Sequence, residues 1–377
     1  MVYIICYSVS IFFAYLAQRA KNKDVVLFYS IMSILITSLL GGLRDRRIGT
    51  DVGLYGYPDA LKAMKSPSLL SFITSGIRGE VGYLCVCYVS ANMLGHPNGA
   101  LFAYQLLTIT FVYIGAYRYR KIAPLHMTMA LFYAMYCQYS YNAMRQSIAA
   151  AIVFAGTYTL RQGRYKKFIM YVLAASLFHV SAIVSLGAIM LMYHITTYST
   201  EQLRNKGIKP VLPYIMIMGV LLLQPTAEYL LRNFRFMKYV GYLNNLNEGN
   251  VNKLFSTLVA GPIIMFLLYS RGAKRLFSGS GRYGEDKFFN INAVFLLVFS
   301  LAIRFYVVRR ILLYSEYVNL IVVAALPHFV KEKRLRVLVT MTVLFVATIF
   351  WYRRYCIIPP GGTVPSSETW PYKSILF

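Results

Sequence analysis

Residues 25–55 read VVLFYSIMSILITSLLGG followed directly by LRDRRIGTDVGLY. The first part is an apolar run that approaches the ~20 residues of a membrane-spanning helix, and it closes on Gly41 and Gly42. The second part crowds Arg44, Asp45, Arg46, Arg47 and Asp51 against that helix end, with Gly49, Gly53 and Tyr55 among them. Charge set beside a spanning helix is costly unless it is used. Together the two parts decide the fold: an apolar span that carries an arginine-rich polar site at its end.

The rest of the chain repeats the apolar half of that pattern. Of 377 residues, 58% are hydrophobic and only 14% are charged. A soluble domain cannot bury so much apolar surface, so the class is an all-α polytopic integral membrane protein with no large soluble domain. The formal net charge of +26 invites a nucleic-acid interpretation. The basic residues, however, sit in short loops between apolar runs, which is the positive-inside pattern, and no nucleic-acid partner is expected. Five cysteines lie mostly in apolar runs, and the spacing of Cys85 and Cys87 fits no zinc or redox motif. No second histidine or carboxylate stands at ligand spacing from His179, so neither a metal nor a cofactor is expected.

Apolar runs lie at about 2–18, 25–40, 81–94, 101–117, 127–139, 143–160, 168–195, 211–223, 254–269, 288–303, 311–330 and 335–351. The first has no basic leader and no small-residue cleavage site, so it reads as a first span. Several runs are shorter than ~20 residues, which is tolerated where broken helices line a polar cavity. If 81–94 lies at the outer interface and 168–195 folds back at His179, the clusters at 19–23, 118–121, 161–167, 204–209, 271–287 and 331–336 share one side. Those clusters hold more than half of the 39 Lys and Arg. If 81–94 crosses instead, the clusters at 118–121 and 161–167 fall outside, against the rule. The expectation is therefore about 12 spanning helices, some short or broken, with both termini outside. It is a single transmembrane domain, 1–377, with outer loops at about 44–100 and 224–253 and an outer tail at 353–377.

The unusual polar residues all fall on the outer side of that scheme. Arginine's planar fork holds phosphate oxygens in pairs and keeps its charge in a partly dry site, which suits Arg44, Arg145, Arg304 and Arg309 to an anion. Arg46 and Arg47 read equally as solvated or headgroup contacts. Asp45 and Asp51 can orient the arginines, and Asp51 can act as a base. Arg145 and Gln146 open a helix after Tyr141 and Asn142, where a cation opposes the helix dipole and invites an anion. A structural ion pair of Arg145 with Asp45 or Asp51 is the alternative. Glu80 stands at the start of the 81–94 run, either as a dipole partner or as a general base. His179 interrupts an apolar run, and a lone histidine there is more often a hydrogen-bonded core residue than a catalyst. The 224–253 loop is rich in Tyr, Phe and Asn, which suits either a sugar or an interfacial aromatic belt.

At these residues the chain resembles the EpsG family, a branch of the Wzy-like polysaccharide polymerases. The resemblance is carried by Gly42-Leu43-Arg44-Asp45, Ile48-Gly49-Thr50-Asp51 with Tyr55, and Glu80-Val81-Gly82-Tyr83. It continues through 142–149 (NAMRQSIA), 174–182 (AASLFHVSA) and Trp370-Pro371-Tyr372-Lys373-Ser374. Residues 197–290 carry little of it. The resemblance implies a GT-C-like glycosyltransferase of a bacterial inner (plasma) membrane. Such an enzyme moves a growing glycan from undecaprenyl pyrophosphate to the sugar of an incoming lipid-linked repeat unit. Its implied partners are the undecaprenyl-pyrophosphate-linked donor and acceptor, membrane lipids, and a chain-length-regulating membrane protein.

On that basis Asp51, Glu80 and His179 are the candidate catalytic residues. Arg44, Asp45, Arg145, Gln146, Arg304, Arg309 and Tyr55 are the candidate pyrophosphate- and glycan-binding residues. A flippase for the same lipid-linked glycan would spread its arginines through the membrane depth, and here they gather on one side. An O-acyltransferase would need a cytoplasmic entry for an acyl donor. A ligase that hands finished glycan to another lipid shares the chemistry and is separated only by the resemblance.

Overall fold

The computed structural model describes residues 1–77, 79–183, 306–330, 332–358 and 368–376, with the backbone alone at 306–312 and at 329. The chain divides into two compact units, one of residues 1–183 and 320–377 and the other of 184–319. The following concerns the first. The expected runs at 211–223, 254–269 and 288–303, the 224–253 loop and Arg304 lie outside the described residues.

All described elements are helical, and no strand is formed among them. Helix α1 spans Val2–Arg19 and α2 Lys23–Gly42, with Asn22 capping α2 through the Asp24 amide. A π-helical turn, Val52–Gly56, leads into α3, Tyr57–Lys65, and α4, Leu69–Thr74. Next come α5, Val81–Leu94, ending on a left-handed Gly95, and α6, Asn98–Arg118. Helix α7, Leu125–Phe132, passes into a π-helical segment at Tyr133–Cys137 and the short α8, Tyr139–Asn142. Then follow α9, Met144–Arg161, and α10, Tyr165–Ser176. Helix α11 is Tyr306–Ala325 and α12 is Lys333–Tyr355.

Four of these helices, α1, α2, α6 and α12, are long and apolar enough to cross a membrane, and the chain is a multi-pass membrane protein. The helices outrun the apolar stretches. α12 begins at Lys333 and ends at Tyr355 instead of covering 335–351. Basic side chains at helix ends reach water along their own stems, so the backbone ladder continues past the apolar run. Within the outer loop expected at about 44–100, the part ahead of the 81–94 run holds α3 and α4.

Small residues set the packing. A β-carbon on Gly41 would stand 2.4 Å from Gln105 Cγ, and one on Gly42 2.6 Å from Phe102 Cβ, so the end of α2 lies directly on α6. Gly115 gives the same close approach to Phe154 on α9, and Gly156 to Tyr171 on α10. Without a hydrophobic drive between lipid-facing helices, such approach supplies the dispersion contacts. A hydroxyl cluster adds polar glue: Ser10 Oγ donates to the Ser33 carbonyl at 2.7 Å and lies 2.6 Å from Tyr133 Oη.

The two ends of this unit differ chemically. At one end the connections carry Arg19, Lys21 and Lys23, then 118–121, then 161–167, and the start of α12. There Gln18 Oε1 accepts the Leu125 amide, and Arg118 donates to Ala155 O and Tyr171 Oη. The opposite end gathers the start of α1, the end of α2, the starts of α6 and α9, and the ends of α10 and α12. Helix α5 belongs to that second end. Its Tyr83 stacks on Tyr104, in the second turn of α6, and its other end returns to Gly99.

Candidate active site

The break between α8 and α9 is the hub. Ala143 leaves helical geometry at φ −111° and ψ 53°, and its neighbours face different ways. Asn142 Oδ1 accepts the Thr50 amide at 3.0 Å. Met144 Sδ lies 3.5 Å from Arg44 Nη2. Arg145 Nη1 reaches Glu80 Oε2 at 3.0 Å. Gly49, at φ +97°, passes so close that a β-carbon would stand 2.7 Å from Asn142 Oδ1. The arginine-rich stretch is thus clamped to the head of α9.

Arg44 is enclosed. Only 1% of it is exposed. Its Nη1 donates to the Gly41 carbonyl, and its guanidinium lies over the Tyr141 ring, 4.4 Å from the centroid. Its Nε is buried with no partner among the described residues, and no ion pair to it is formed among them. Burial pushes the guanidinium pKa below its ordinary value, while the surrounding tyrosines oppose that shift. Asn98 Nδ2 donates to the carbonyls of Gly42 and Arg44, at 2.6 and 2.8 Å.

The tail closes the nest. Asp45 N donates to Lys373 O at 2.9 Å, Ile375 N to Leu43 O at 3.0 Å, and Gly49 N to Glu368 O at 2.9 Å. Tyr372 Oη donates to Leu40 O at 2.9 Å, and Tyr3 Oη to Thr369 O at 2.6 Å. Trp370 stacks on Tyr3 and meets Trp351 edge-on, while Trp351 Nε1 and Thr369 both bond Gln138.

Arg145 is open by comparison, with about a third of its side chain exposed. Its guanidinium lies over the Tyr83 ring, 5.3 Å from the centroid. Tyr83 is fixed from behind by Tyr104, 4.7 Å away, and its Oη donates to Asp59 Oδ2 at 3.3 Å. Asp59 is buried, and desolvation raises its pKa. Glu80 caps α5 with its backbone only. Its carboxylate spans from Arg145 to the Val180 amide, 3.4 Å from Oε1. The Gly82 amide donates to Leu177 O at 2.8 Å, which pins α5 to the turn after α10. In that turn His179 Nδ1 lies 2.7 Å from Ser181 Oγ.

The fold therefore brings Glu80 and Arg145 into contact and sets the His179 turn beside them. Among the described residues, the acid that Arg145 meets is Glu80. Asp45 is taken by the exposed Arg47 at 2.8 Å, whose hydrogen bond holds its carboxyl below the usual carboxylate range. Asp51 is half-buried at the N-cap of the π-helical turn, Tyr55 is exposed on that turn, and Gln146 is buried in α9. Arg309 lies in α11, where the side chain is not described. Sequence reasoning missed Asp59, Asn98 and Gln138. Asp59 had a signal, since it shares the buried face of α3 with Ala60 and Ala63. Among the described residues no group of three or more His, Cys, Asp or Glu is placed to hold a metal ion.

A family model described as the EpsG family matches residues 26–374, nearly the whole chain. No curated protein and no solved structure matches it.

Proposed function

The chain belongs to the EpsG family, a family of Wzy-like polysaccharide polymerases, and from that premise we propose the reaction it performs. It moves a growing glycan from undecaprenyl pyrophosphate onto the sugar of an incoming lipid-linked repeat unit, on the outer side of a bacterial inner membrane. A GT-C-like frame of about 12 spans in a single transmembrane domain, and a chain-length-regulating partner, belong to the same proposal.

The observation that supports it best is the half-open Arg145, 3.0 Å from Glu80 at the head of α9. The donor's leaving group is a pyrophosphate, and a guanidinium beside backbone amides stabilises the charge that develops as it departs. The acceptor hydroxyl needs a base within hydrogen-bond reach, and Glu80 stands beside the arginine that would hold the donor. Asp51 and His179 are the other candidates for that proton, and Arg304 or Arg309 for a second grip on pyrophosphate. Arg44 is the weaker member of the pyrophosphate set, because its guanidinium is enclosed and turned onto Gly41, Met144 and Tyr141.

Deletion of the gene followed by glycan analysis tests the proposal. Single repeat units accumulating on lipid at the outer face are expected. Normal polymer left unattached would replace the polymerase by a ligase, and lipid-linked units trapped in the cytoplasm would replace it by a flippase.

A further inference from the structure

The pairing of Arg145 with Glu80 sets the two central groups of the proposed reaction against each other. A cation held by a carboxylate is partly spent for anion binding, and a carboxylate oxygen that already accepts a guanidinium N–H is not free to accept an acceptor hydroxyl. The surroundings treat the two partners differently. Arg145 rests on a seat that does not depend on Glu80. The Tyr83 ring beneath it is 1% exposed, stacked on Tyr104 and hydrogen-bonded to Asp59. Glu80 likewise keeps a partner that does not depend on Arg145, the Val180 amide. Both side chains remain partly exposed, 32% for Arg145 and 23% for Glu80.

We infer that Arg145 exchanges Glu80 for the donor's pyrophosphate, and that this exchange releases Glu80 as the base for the acceptor. The inference deepens the polymerase reading and rests on it. A pyrophosphate carries more charge than a carboxylate and offers oxygens on two phosphorus centres to the guanidinium fork, so it competes well for Arg145. Tyr83 keeps the guanidinium in place during the exchange through its ring face. Glu80, freed of the cation but still oriented by the Val180 amide, takes the proton of the acceptor hydroxyl. The acceptor oxygen forms a bond to the donor's anomeric carbon. The bond from that carbon to the phosphate oxygen breaks, and its electron pair leaves with undecaprenyl pyrophosphate, held by Arg145. Donor binding thus precedes base activation, and an acceptor that arrives first meets a masked carboxylate.

The test measures affinity and turnover separately on the full chain purified in detergent. Undecaprenyl pyrophosphate is the binding probe, and synthetic lipid-linked repeat units are the turnover substrate. Glu80→Gln removes the competitor while keeping the shape. Its affinity for undecaprenyl pyrophosphate is expected to tighten by about fivefold, the scale of one partly exposed ion pair. Its turnover is expected to fall by about 100-fold or more. Glu80→Asp, a second variant, is expected to fall between the two in affinity. Weaker or unchanged pyrophosphate binding in Glu80→Gln would overturn the exchange and make Glu80 a simple holder of Arg145. Normal turnover in that variant would overturn the release of a base. The polymerase reading fails by a different result: tighter binding in Glu80→Gln together with normal chain length after gene deletion keeps the exchange and removes the polymerase.

Discussion

Arg44 and Arg145 stand on either side of one helix start, and they occupy opposite environments. Arg44 is 1% exposed, faces an aromatic ring, a thioether and a helix-end carbonyl, and forms no ion pair among the described residues. Arg145 is about a third exposed and faces the Tyr83 ring and the Glu80 carboxylate, which also accepts the Val180 amide. The tail and Asn98 close over the first. Only the second keeps an opening. A buried cation without a counter-charge depends on everything around it, whereas a half-open ion pair can change partners. The same residue type thus stands as an enclosed clasp in one place and as a half-open ion pair in the other.

The largest difference between the two arginines is expected in turnover. Arg145→Ala is expected to lower turnover by about 100- to 1000-fold, the scale of one lost charge-stabilising donor. Its thermal midpoint should move by no more than about 2 °C, because a partly exposed pair adds little to stability. Polymer assays and thermal unfolding on the same preparation check both halves. Arg44→Ala should do the reverse in kind. It removes a buried charged hydrogen bond and a ring contact, so a loss of about 2 kcal/mol is expected, read as a drop of about 5 °C and a lower yield of folded protein.

Tyr372→Phe is a milder change on the same side. It removes the bond to Leu40 O and should cost about 1 kcal/mol. The activity of the folded fraction should stay near the wild type, since Arg145 is untouched. A turnover loss out of proportion to the stability loss would show that the two regions are one site.

Asp59 gives the smallest effect and a sign that depends on pH. Burial raises its pKa in the folded state, so the folded chain holds the proton more tightly than the unfolded one. The stability this confers is fully present below the unfolded value near 3.9 and is lost as pH rises through the raised folded value. Asp59→Asn still accepts the Tyr83 hydrogen bond but carries no charge. It is expected to melt about 2 °C above the wild type at pH 7, with the gap closing toward pH 4. Thermal midpoints across that range would check it.

The frame was legible because composition and the spacing of basic clusters act locally. Apolar runs at 2–18, 25–40 and 101–117 became α1, α2 and α6, displaced only at their charged ends, where lysine and arginine stems let the helix run on. The polar joint at Tyr141 and Asn142 marked the break before α9 for a similar local reason. The partners of the site residues were not legible. Arg145 and Glu80 are 65 positions apart, and their pairing depends on where α5 crosses the head of α9. Nearness in sequence favoured no acid, and Asp45 was removed from contention by Arg47, two residues away. The burial of Arg44 was equally hidden, since it depends on a tail more than 300 positions distant.

The proposed joining of lipid-linked repeat units can be measured directly. Purified protein should be mixed with synthetic undecaprenyl-pyrophosphate-linked repeat units as both donor and acceptor, and the products resolved by size. A ladder of glycans lengthening by whole repeat units is expected, with one undecaprenyl pyrophosphate released per step. Repeat units recovered unchanged from a folded, pyrophosphate-binding preparation would contradict it.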